Sequence, residues 1–496
     1  MSGLPRCARC RRPETSASVV SALTPAQALS GLERILGAGG LLSGELPAAE
    51  LEPYLSDQRR LYHGRALAIA LPRTEVEVTE LLAFCNRHRI GVVPQGGNTG
   101  YCGGATPDES GRQIVVSLSR LNRIRRIDPL NYSIVVEAGC VLGQVQRAAD
   151  EAQRLFPLSL GSEGTCQLGG NLSTNAGGVH VLRYGMMRDL VLGLEVALAD
   201  GRLLSSLGTL RKDNTGYDVK SLFLGAEGTL GIITAASLKL FPKLKSFATA
   251  FAAVPEPRAA VALLARLRET SGDSVSSFEL IPRIAVELTT RHIPGVRDPL
   301  DAPHPWYVLC ELTSPRAADP LADLLERSLA GGLEERLVLD AAVARNERDR
   351  TAFWKLRETI PEAQRRDGGS LKHDICVPVA SIPEFIERGS RWIADNVPDG
   401  RLVAYGHVGD GNLHFNLNQA PGADRAAFLA REAPVKRAIH DLVRDFGGSF
   451  SAEHGIGRLK VGELERYAPP IELDLMRTIK RALDPNGILN PGKVLR

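Results

Sequence analysis

Three glycine-dense segments constrain the fold of this 496-residue chain more than any other feature of its sequence. They span residues 94–100 (PQGGNTG), 161–178, which has six glycines in 18 positions, and 225–233 (GAEGTLGII). Segments this poor in large side chains cannot pack a core, so their backbones must approach something closely. Glycine also lets consecutive N–H groups converge on an anion. Together the segments predict one long ligand that is held by backbone.

The segment 94–100 favours a pyrophosphate as the bound anion, because it follows a predicted strand and contains three glycines. It matches neither G-x-G-x-x-G nor G-x-x-x-x-G-K-[ST], which weakens nicotinamide binding and P-loop nucleotide binding as interpretations. The 60 Lys and Arg residues nearly balance the 57 Asp and Glu residues, so no basic excess indicates nucleic-acid binding. The apolar runs are too short to span a bilayer, and we do not expect an integral membrane protein.

The spacing of apolar residues predicts an α+β protein with two domains. Thr74 is the expected N-cap of one helix, and the predicted helices cover residues 24–42, 74–88, 256–269, 317–330 and 471–483. The predicted strands cover residues 90–94, 114–118, 133–137, 192–199, 232–240 and 306–313. The character of the chain changes after Pro242, where we expect a second α+β domain to begin.

The eight cysteines are scattered, and no apolar signal-peptide core lies near the start, so we expect them to be reduced. Cys7 and Cys10 form a C-x-x-C pair, but no second pair nearby completes a zinc knuckle. Residues 1–22 are arginine-rich and then serine-rich, which predicts a disordered extension, with a targeting peptide as the alternative. Arginine predominates over lysine, which favours a GC-rich bacterial source and a cytoplasmic location, with the mitochondrial matrix as the alternative.

The segment HVGDGNLHFN, which begins at His407, places an Asp-Gly pair midway between two histidines. Asp-Gly favours a two-residue hairpin turn. Such a turn would pair His407 with His414 and place both imidazoles on one face, with Cβ atoms about 4.5–5.5 Å apart. Asn416 would share that face. This geometry predicts chelation of a metal, against the alternative of a structural hairpin with two surface histidines.

Glu453 and His454 lie together among small residues, in the segment SAEHGIG. Two histidines and one glutamate form catalytic zinc sites in which a further position stays open for substrate. We therefore expect His407, His414 and Glu453 to bind a divalent metal. Zn²⁺ is only narrowly favoured over Mn²⁺, Fe²⁺ and Co²⁺, since imidazole suits all of them.

The glycine-dense segments resemble the flavin-binding half of the vanillyl-alcohol oxidase and p-cresol methylhydroxylase superfamily. The resemblance implies that residues 94–100 hold the pyrophosphate of FAD. The implied cofactor-binding residues are Pro94, Gln95, Gly96, Gly97, Asn98, Thr99, Gly100, Gly164, Thr165, Gly169, Asn171, Thr174, Asn175, Gly177 and Ile233. Some members attach the flavin to a histidine of the loop, where this chain has Asn98 and Thr99. We therefore expect non-covalent FAD.

The histidine motifs narrow the resemblance to the D-2-hydroxyglutarate dehydrogenase and D-lactate dehydrogenase branch, over residues 54–493. The branch implies that His407, His414 and Glu453 are the metal ligands and that His454 is the catalytic base. It also implies that His454, Arg357, Lys372 and Asn416 contact the substrate, the last three through its carboxylates.

Pro361 departs from the pattern of the branch. Members specific for 2-hydroxyglutarate have a threonine there, whose hydroxyl helps to hold the substrate, and proline has no donor to replace it. The substrate is therefore left open among 2-hydroxyglutarate, lactate, malate and other D-2-hydroxy acids.

The resemblance implies an FAD-dependent, metal-assisted dehydrogenase that oxidises a D-2-hydroxy acid to the 2-oxo acid by hydride transfer to flavin N5. It further implies a two-domain α+β flavoprotein. The FAD-binding domain would comprise residues 50–245 and 455–496, with a substrate-binding domain at 246–454 that carries the metal hairpin. The expected partners are a small D-2-hydroxy acid and an electron acceptor such as an electron-transfer flavoprotein, a quinone or a cytochrome. Assembly as a homodimer is left open.

Three alternatives stay open. The first is a D-2-hydroxy-acid oxidase, which differs from the dehydrogenase only in passing its electrons to O₂. An alkyl-glycerone-phosphate synthase of the same superfamily uses flavin for a non-redox reaction, although the metal hairpin fits the dehydrogenase branch better. A flavin-binding subunit without activity is the third, and the complete set of candidate ligands with His454 argues against it.

Overall fold

The computed structural model describes residues 23–43 and 47–496. The predicted N-terminal extension, with Cys7 and Cys10, lies outside the described residues. The cysteines at positions 85, 102, 140, 166, 310 and 376 are free thiols. Among the residues described, none of the helices combines the length with the apolar character that crossing a bilayer requires.

The chain up to Pro242 forms two main sheets. Its strands are β1 (Leu41–Leu42), β2 (Ala66–Ala70), β3 (Gly91–Gln95), β4 (Gln113–Ser117), β5 (Ile124–Asp128), β6 (Ser133–Glu137), β7 (Arg154–Leu155), β8 (Val191–Ala197), β9 (Leu203–Ser206), β10 (Ile232–Lys239) and β11 (Phe241–Pro242). The four-stranded sheet has the order β1-β2-β4-β3, and β4 runs parallel to β2 and β3. The five-stranded sheet is antiparallel, in the order β5-β6-β10-β8-β9.

The helices of this half cover the two sheets and connect their strands. They are α1 (Pro25–Leu36), α2 (Ala48–Leu55), α3 (Glu75–His88), α4 (Leu142–Glu151), α5 (Leu168–Ser173), α6 (Val181–Tyr184) and α7 (Met187–Leu190), with a 3-10 turn at Val219–Leu222. Helix α3 confirms the predicted helix at 74–88, since the Thr74 hydroxyl accepts the Glu77 N–H at 3.1 Å. Its buried face, which includes Val78, Leu82 and Cys85, packs into the core between the helices and the four-stranded sheet.

The helix predicted at 24–42 is shorter than expected. Helix α1 ends at Leu36, and the final residues of the predicted span form β1 instead. Gly37 and Gly39 both have φ near +70° (68° and 70°), a left-handed backbone conformation that continues no α-helix. The apolar spacing alone did not identify this helix terminator.

The chain from 246 onward builds an eight-stranded antiparallel sheet. Its strands are β12 (Ser246–Val254), β13 (Val275–Pro282), β14 (Trp306–Ser314), β15 (Asp340–Val343), β16 (Ser370–Leu371), β17 (Asp374–Cys376), β18 (Gly400–His407) and β19 (Asn412–Gln419). The order is β15-β12-β14-β13-β18-β19-β16, and β17 also pairs with β19. The sheet thereby places the end of β13 beside the end of β18, where the candidate ligands lie.

The second half also contributes ten helices to the described part of the chain, and several of them enclose, together with the sheet, the largest apolar core found there. They are α8 (Pro257–Ser271), α9 (Arg283–His292), α10 (Leu321–Glu334), α11 (Glu347–Glu358), α12 (Ile360–Asp367), α13 (Ile382–Asn396), α14 (Arg425–Leu429), α15 (Glu432–Asp445), α16 (Val461–Tyr467) and α17 (Pro470–Leu483), with a 3-10 turn at Val379–Ser381. The predicted helices at 256–269 and 471–483 and the strand at 306–313 are confirmed within two residues at each end.

The end of the chain returns to the first half. Leu489 forms a parallel bridge with Val92 of β3. Asn490 donates from Nδ2 to the backbone oxygens of Gly104 and Glu227, at 2.9 and 2.8 Å. Lys480 of α17 donates to the backbone oxygen of Thr229 at 2.7 Å. The sheets and helices together confirm the predicted α+β class.

Candidate active site

A cavity of about 660 Å³ lies where the three glycine-dense segments meet the second half of the chain. Thirteen of the predicted cofactor-binding residues line it: Pro94, Gln95, Gly96, Gly97, Asn98, Thr99, Gly100, Thr165, Gly169, Asn171, Thr174, Gly177 and Ile233. Gly164 and Asn175 do not belong to the lining. The Asn175 side chain instead accepts the Arg188 N–H at 2.8 Å.

The segment 94–100 is packed against the second glycine-dense segment, backbone to backbone. A Cβ atom on Gly97 would lie 2.2 Å from the Thr165 carbonyl oxygen, so only glycine fits there. Asn98 adopts φ of +52°, and its Nδ2 donates to the carbonyl oxygens of Pro53 and Ser56 at 3.0 and 2.7 Å. The loop is therefore fixed in place by groups other than the ligand it would hold.

Two buried side-chain oxygens in the cavity wall fit a nucleotide ligand. Gln167 Oε1 and Asn171 Oδ1 have no hydrogen-bond partner in the described part of the chain. A buried acceptor without a donor is costly, which indicates that a bound group supplies the donor. FAD has N–H donors on both its flavin and adenine rings, and these residues therefore fit it.

The predicted hairpin forms, but its predicted register is wrong. Tyr405, and not His407, pairs with His414. Strand β18 ends at His407 and β19 begins at Asn412, so four residues form the connection where two were expected. Gly406, with φ of +150°, lets the strand bend, and its oxygen accepts the Val408 N–H at 3.0 Å. This bend accommodates the two additional residues of the connection between β18 and β19.

A register shift of two residues keeps both histidines on one face, because side chains alternate along a strand. Their ring centroids lie 5.9 Å apart. The potential ligand atoms of His407, His414 and Glu453 all lie within 4.8 Å of one another. Nε2 of His407 is 3.8 Å from Oε1 of Glu453. The structure therefore brings the three predicted ligands together, and two imidazoles with one carboxylate fit a divalent metal.

Glu279 of β13 orients this cluster and was missed from the sequence. Its Oε1 lies 2.5 Å from Nδ1 of His407, which leaves Nε2 to point toward Glu453. Burial alone would lower the pKa of His407, but the charge of Glu279 and its hydrogen bond raise it to about 9. Burial raises the pKa of Glu453 to about 7. The shifts in the pKa values of His407 and Glu453 both arise because the two side chains are buried, where water screens neighbouring charges only weakly.

Arg357 lies in the same buried network. Its Nε donates to Oε2 of Glu279 at 2.7 Å, and its guanidinium carbon is 5.0 Å from the ring centroid of Tyr405. The arginine is only 6% exposed, and Glu279 is fully buried. In the described residues no hydrogen bond occupies its two Nη groups, which stay available to a carboxylate.

His454 lies in the cavity wall beside Glu453, and its Nδ1 is 3.2 Å from Oδ2 of Asp374. Asp374 also accepts the backbone N–H groups of Glu453 and His454, at 3.0 and 3.1 Å. Burial lowers the pKa of His454, so its imidazole is neutral near pH 7. The ring edge of Tyr101 packs against it with centroids 4.9 Å apart.

Lys372 and Asn416 meet behind this wall. Lys372 Nζ is 3.5 Å and Asn416 Nδ2 is 3.1 Å from the same Oε1 atom of Gln364. Burial, together with the charges of Arg59 and Arg365, lowers the pKa of Lys372 to about 8. Neither residue belongs to the cavity lining.

Three carboxylates that sequence reasoning missed hold the site in place: Glu279, Asp374 and Glu227. The Glu227 side chain accepts the N–H groups of Ile456 and Gly457, at 2.7 and 2.8 Å, and so fixes the segment that follows His454. Glu279 lies in a strand whose eight residues are all buried. In the strand sequence VSSFELIP the single acidic residue, next to Phe278 and Leu280, is the sequence signal that marks Glu279.

A family model described as FAD binding domain matches residues 66–206, and one described as FAD linked oxidases, C-terminal domain, matches residues 243–494. The chain belongs to the FAD-linked oxidases. This confirms the superfamily that the sequence resembles, and FAD as the cofactor of this FAD-linked oxidase.

Individual relatives resemble most of the oxidase. The mitochondrial D-2-hydroxyglutarate dehydrogenase of Arabidopsis thaliana is 39% identical over 449 residues, which cover 90% of this chain and 78% of that protein. A D-2-hydroxyglutarate–pyruvate transhydrogenase of Saccharomyces cerevisiae is 34% identical and covers 94% of each chain. Among solved structures, p-cresol methylhydroxylase superposes with a TM-score of 0.73 over 96% of this chain and 98% of its own, at 17% identity, which shows a shared fold.

Proposed function

We propose that this FAD-linked oxidase oxidises a D-2-hydroxy acid to the corresponding 2-oxo acid. The observation that carries the proposal is the convergence of His407 and His414 on Glu453, which lines the cavity that fits FAD together with His454. The relatives named as D-2-hydroxyglutarate dehydrogenases, at 35–39% identity, support it for the substrate class. D-lactate and D-malate are further candidate substrates in this proposal.

Bound FAD would supply the hydride acceptor, its N5 atom, and a bound divalent metal, with Zn²⁺ narrowly favoured, would supply a Lewis acid for the substrate. The residues proposed to hold the metal are His407, His414 and Glu453. Glu279 fixes the His407 tautomer by accepting at Nδ1, so that Nε2 is the ligand atom.

His454 is the proposed catalytic base. Its neutral imidazole takes the proton of the substrate hydroxyl as the C–H bond is broken. Asp374 stabilises the imidazolium that results and holds the ring by Nδ1, so that Nε2 receives the proton. Tyr101 packs against one side of the ring, with the two ring centroids 4.9 Å apart.

Arg357, Lys372 and Asn416 are the proposed contacts to substrate carboxylates. Arg357 offers the two Nη groups that Glu279 leaves unoccupied. Lys372 offers a buried cation with no carboxylate among its hydrogen-bond partners in the described residues. Both attract an anion more strongly than exposed cations do, because little water competes.

The domain division is part of the proposal. Residues 50–245 and 455–496 form the FAD-binding domain around a substrate-binding domain at 246–454. The hydrogen bonds of Lys480 and Asn490 to the first half support this division. The proposed electron acceptor is an electron-transfer flavoprotein, a quinone or a cytochrome. The proposed location is the bacterial cytoplasm, with the mitochondrial matrix as the alternative.

The test is anaerobic bleaching of the flavin absorbance by a panel of D- and L-2-hydroxy acids, before and after chelation. We expect bleaching by at least one D-acid and by no L-acid, loss of bleaching with chelator, and recovery with a divalent metal. Bleaching that survives chelation would remove the metal from the proposal. No bleaching by any D-acid would contradict the proposed function and favour a flavin-binding subunit without this activity.

A further inference from the structure

Tyr101 brings a phenol to the wall of the cavity, next to the proposed base. It lines the cavity and is 43% exposed, and its ring edge packs on His454 with centroids 4.9 Å apart. In residues 23–43 and 47–496 no hydrogen bond engages its hydroxyl. Because a phenol can donate a hydrogen bond as well as accept one, this hydroxyl is available to a molecule bound in the cavity.

The backbone around Tyr101 is joined to the segment that follows His454. The carbonyl oxygen of Cys102, the next residue, accepts the Arg458 N–H at 2.8 Å. A Cβ atom on Gly457 would lie 2.2 Å from the same oxygen, so the two segments touch backbone to backbone. Tyr101 and His454 are therefore held side by side by their neighbours as well as by the contact between their rings.

Tyr405 lies between Tyr101 and the proposed carboxylate contact Arg357. The guanidinium carbon of Arg357 is 5.0 Å from the ring centroid of Tyr405, and the ring centroid of His414 is 4.9 Å from it. Burial is the largest cause of the raised pKa of Tyr405, and a negative charge on Tyr101 is a smaller one, which indicates that the two phenols are near each other. Tyr101 and Arg357 thus approach one region of the site from the two halves of the chain.

A 2-hydroxy acid has a carboxylate on the carbon that bears its hydroxyl. When His454 takes the hydroxyl proton, this carboxylate must lie beside the base, within reach of the groups that surround it. We propose that the Tyr101 hydroxyl donates a hydrogen bond to the carboxylate next to the oxidised carbon, which the free Nη groups of Arg357 also hold. This inference rests on the proposed oxidation of a D-2-hydroxy acid.

Tyr101 has two separable roles in this proposal. Its hydroxyl contacts the substrate, and its loss should raise the Kd of the acid by about tenfold to a hundredfold, because the acceptor is charged. This bond is present both before and during the reaction, so its loss changes the limiting rate little. The ring is a positioning group for His454, and its loss should change the limiting rate instead.

The experiment is anaerobic rapid mixing of the enzyme, loaded with FAD and metal, with D-2-hydroxyglutarate, D-malate and D-lactate. These acids share the carboxylate next to the oxidised carbon and differ at their other end. The rate of flavin bleaching as a function of acid concentration gives a Kd and a limiting rate for each acid. An acid that does not bleach the flavin is measured as a competitor of one that does.

Tyr101→Phe keeps the ring and removes the hydroxyl. It should raise the Kd of all three acids by the same factor, about tenfold to a hundredfold, and change the limiting rate less than about fivefold. Tyr101→Leu, which also removes the ring, should have a lower limiting rate than Tyr101→Phe. Tyr62→Phe is the matched control, because the Tyr62 ring lies against Gly103 of the same loop but outside the cavity lining. It should match the wild type.

Four outcomes would overturn the inference. An unchanged Kd in Tyr101→Phe would do so and leave the proposed function standing. A rise in Kd confined to one acid would place the hydroxyl at the other end of the substrate. Loss of FAD or metal from Tyr101→Phe, measured by absorbance and mass spectrometry, would assign the hydroxyl to holding the site together. If no D-2-hydroxy acid bleaches the wild-type flavin, the proposed function and this inference are both wrong.

Discussion

Glu279 Oε1 lies 2.5 Å from Nδ1 of His407, although the two residues are 128 positions apart in the sequence. The sheet makes this contact possible, because β13 and β18 pair with Glu279 opposite His407. The second oxygen of the same carboxylate holds Arg357. One buried acid thus orients a candidate metal ligand and a candidate substrate contact together.

Glu279→Gln should weaken metal binding by about tenfold to a hundredfold, because the amide is a poorer partner for the imidazole. Metal content after dialysis against a weak chelator, measured by mass spectrometry, checks this. Glu311→Gln is the control, since Glu311 is a buried acid of the neighbouring strand that pairs with Arg350 at 2.6 Å. Equal metal loss in both variants would indicate general destabilisation.

His454→Ala should lower kcat at least about a hundredfold, because the hydroxyl proton loses its acceptor. The variant should keep its flavin absorbance. His63→Ala, at a histidine whose side chain is 60% exposed, should have wild-type rates. A near-wild-type kcat for His454→Ala would contradict the assignment of the base.

Gly97→Ala should release FAD, because its Cβ would lie 2.2 Å from the Thr165 oxygen and must displace one of the two segments. The flavin-to-protein absorbance ratio after gel filtration measures the loss. Gly208→Ala, with no atom within 4 Å of the added Cβ, should keep FAD. Acid precipitation of the wild type should leave the flavin in the supernatant, and flavin in the pellet would contradict non-covalent binding.

The kcat/KM for a D-2-hydroxy acid should fall as the pH rises through about 8. Burial, with the charges of Arg59 and Arg365, lowers the pKa of Lys372 to that value, and only the protonated amine attracts a carboxylate. Attraction is therefore full below the pKa and lost above it. Lys372→Arg should move this limb to higher pH, since a guanidinium stays charged. If kcat/KM of the Lys372→Arg variant still falls at about pH 8, a group other than Lys372 causes the fall.

The local features of this fold were predictable from sequence where short-range chemistry decides them. Thr74 and its helix follow from one capping hydrogen bond and an apolar face. The close packing of the glycine-dense segments was predictable because glycine has no side chain and lets two backbones approach closely. It was also predictable that His407 and His414 lie on the same face of the hairpin. The predicted strand register was wrong by two residues, and an error of two leaves both side chains on that face.

The contacts that complete the site were not predictable in this way. Glu279 reaches His407 through sheet order, which no local pattern specifies. Asp374 lies 80 positions before His454, and Glu227 lies 229 positions before Ile456. Each of these carboxylates accepts hydrogen bonds across folded elements, and its neighbours in sequence give no indication of its partner.

The return of the chain end to the first half has a consequence for biosynthesis. The Glu227 carboxylate accepts the N–H groups of Ile456 and Gly457, and the Thr229 oxygen accepts from Lys480. These donors are absent while the ribosome is still making the second half, so the FAD cavity then lacks part of its wall. Domains generally fold in order of synthesis, N-terminal first. Here the first half emerges early, yet the nascent chain acquires its complete cofactor cavity only after Ile456, Gly457 and Lys480 have also left the exit tunnel.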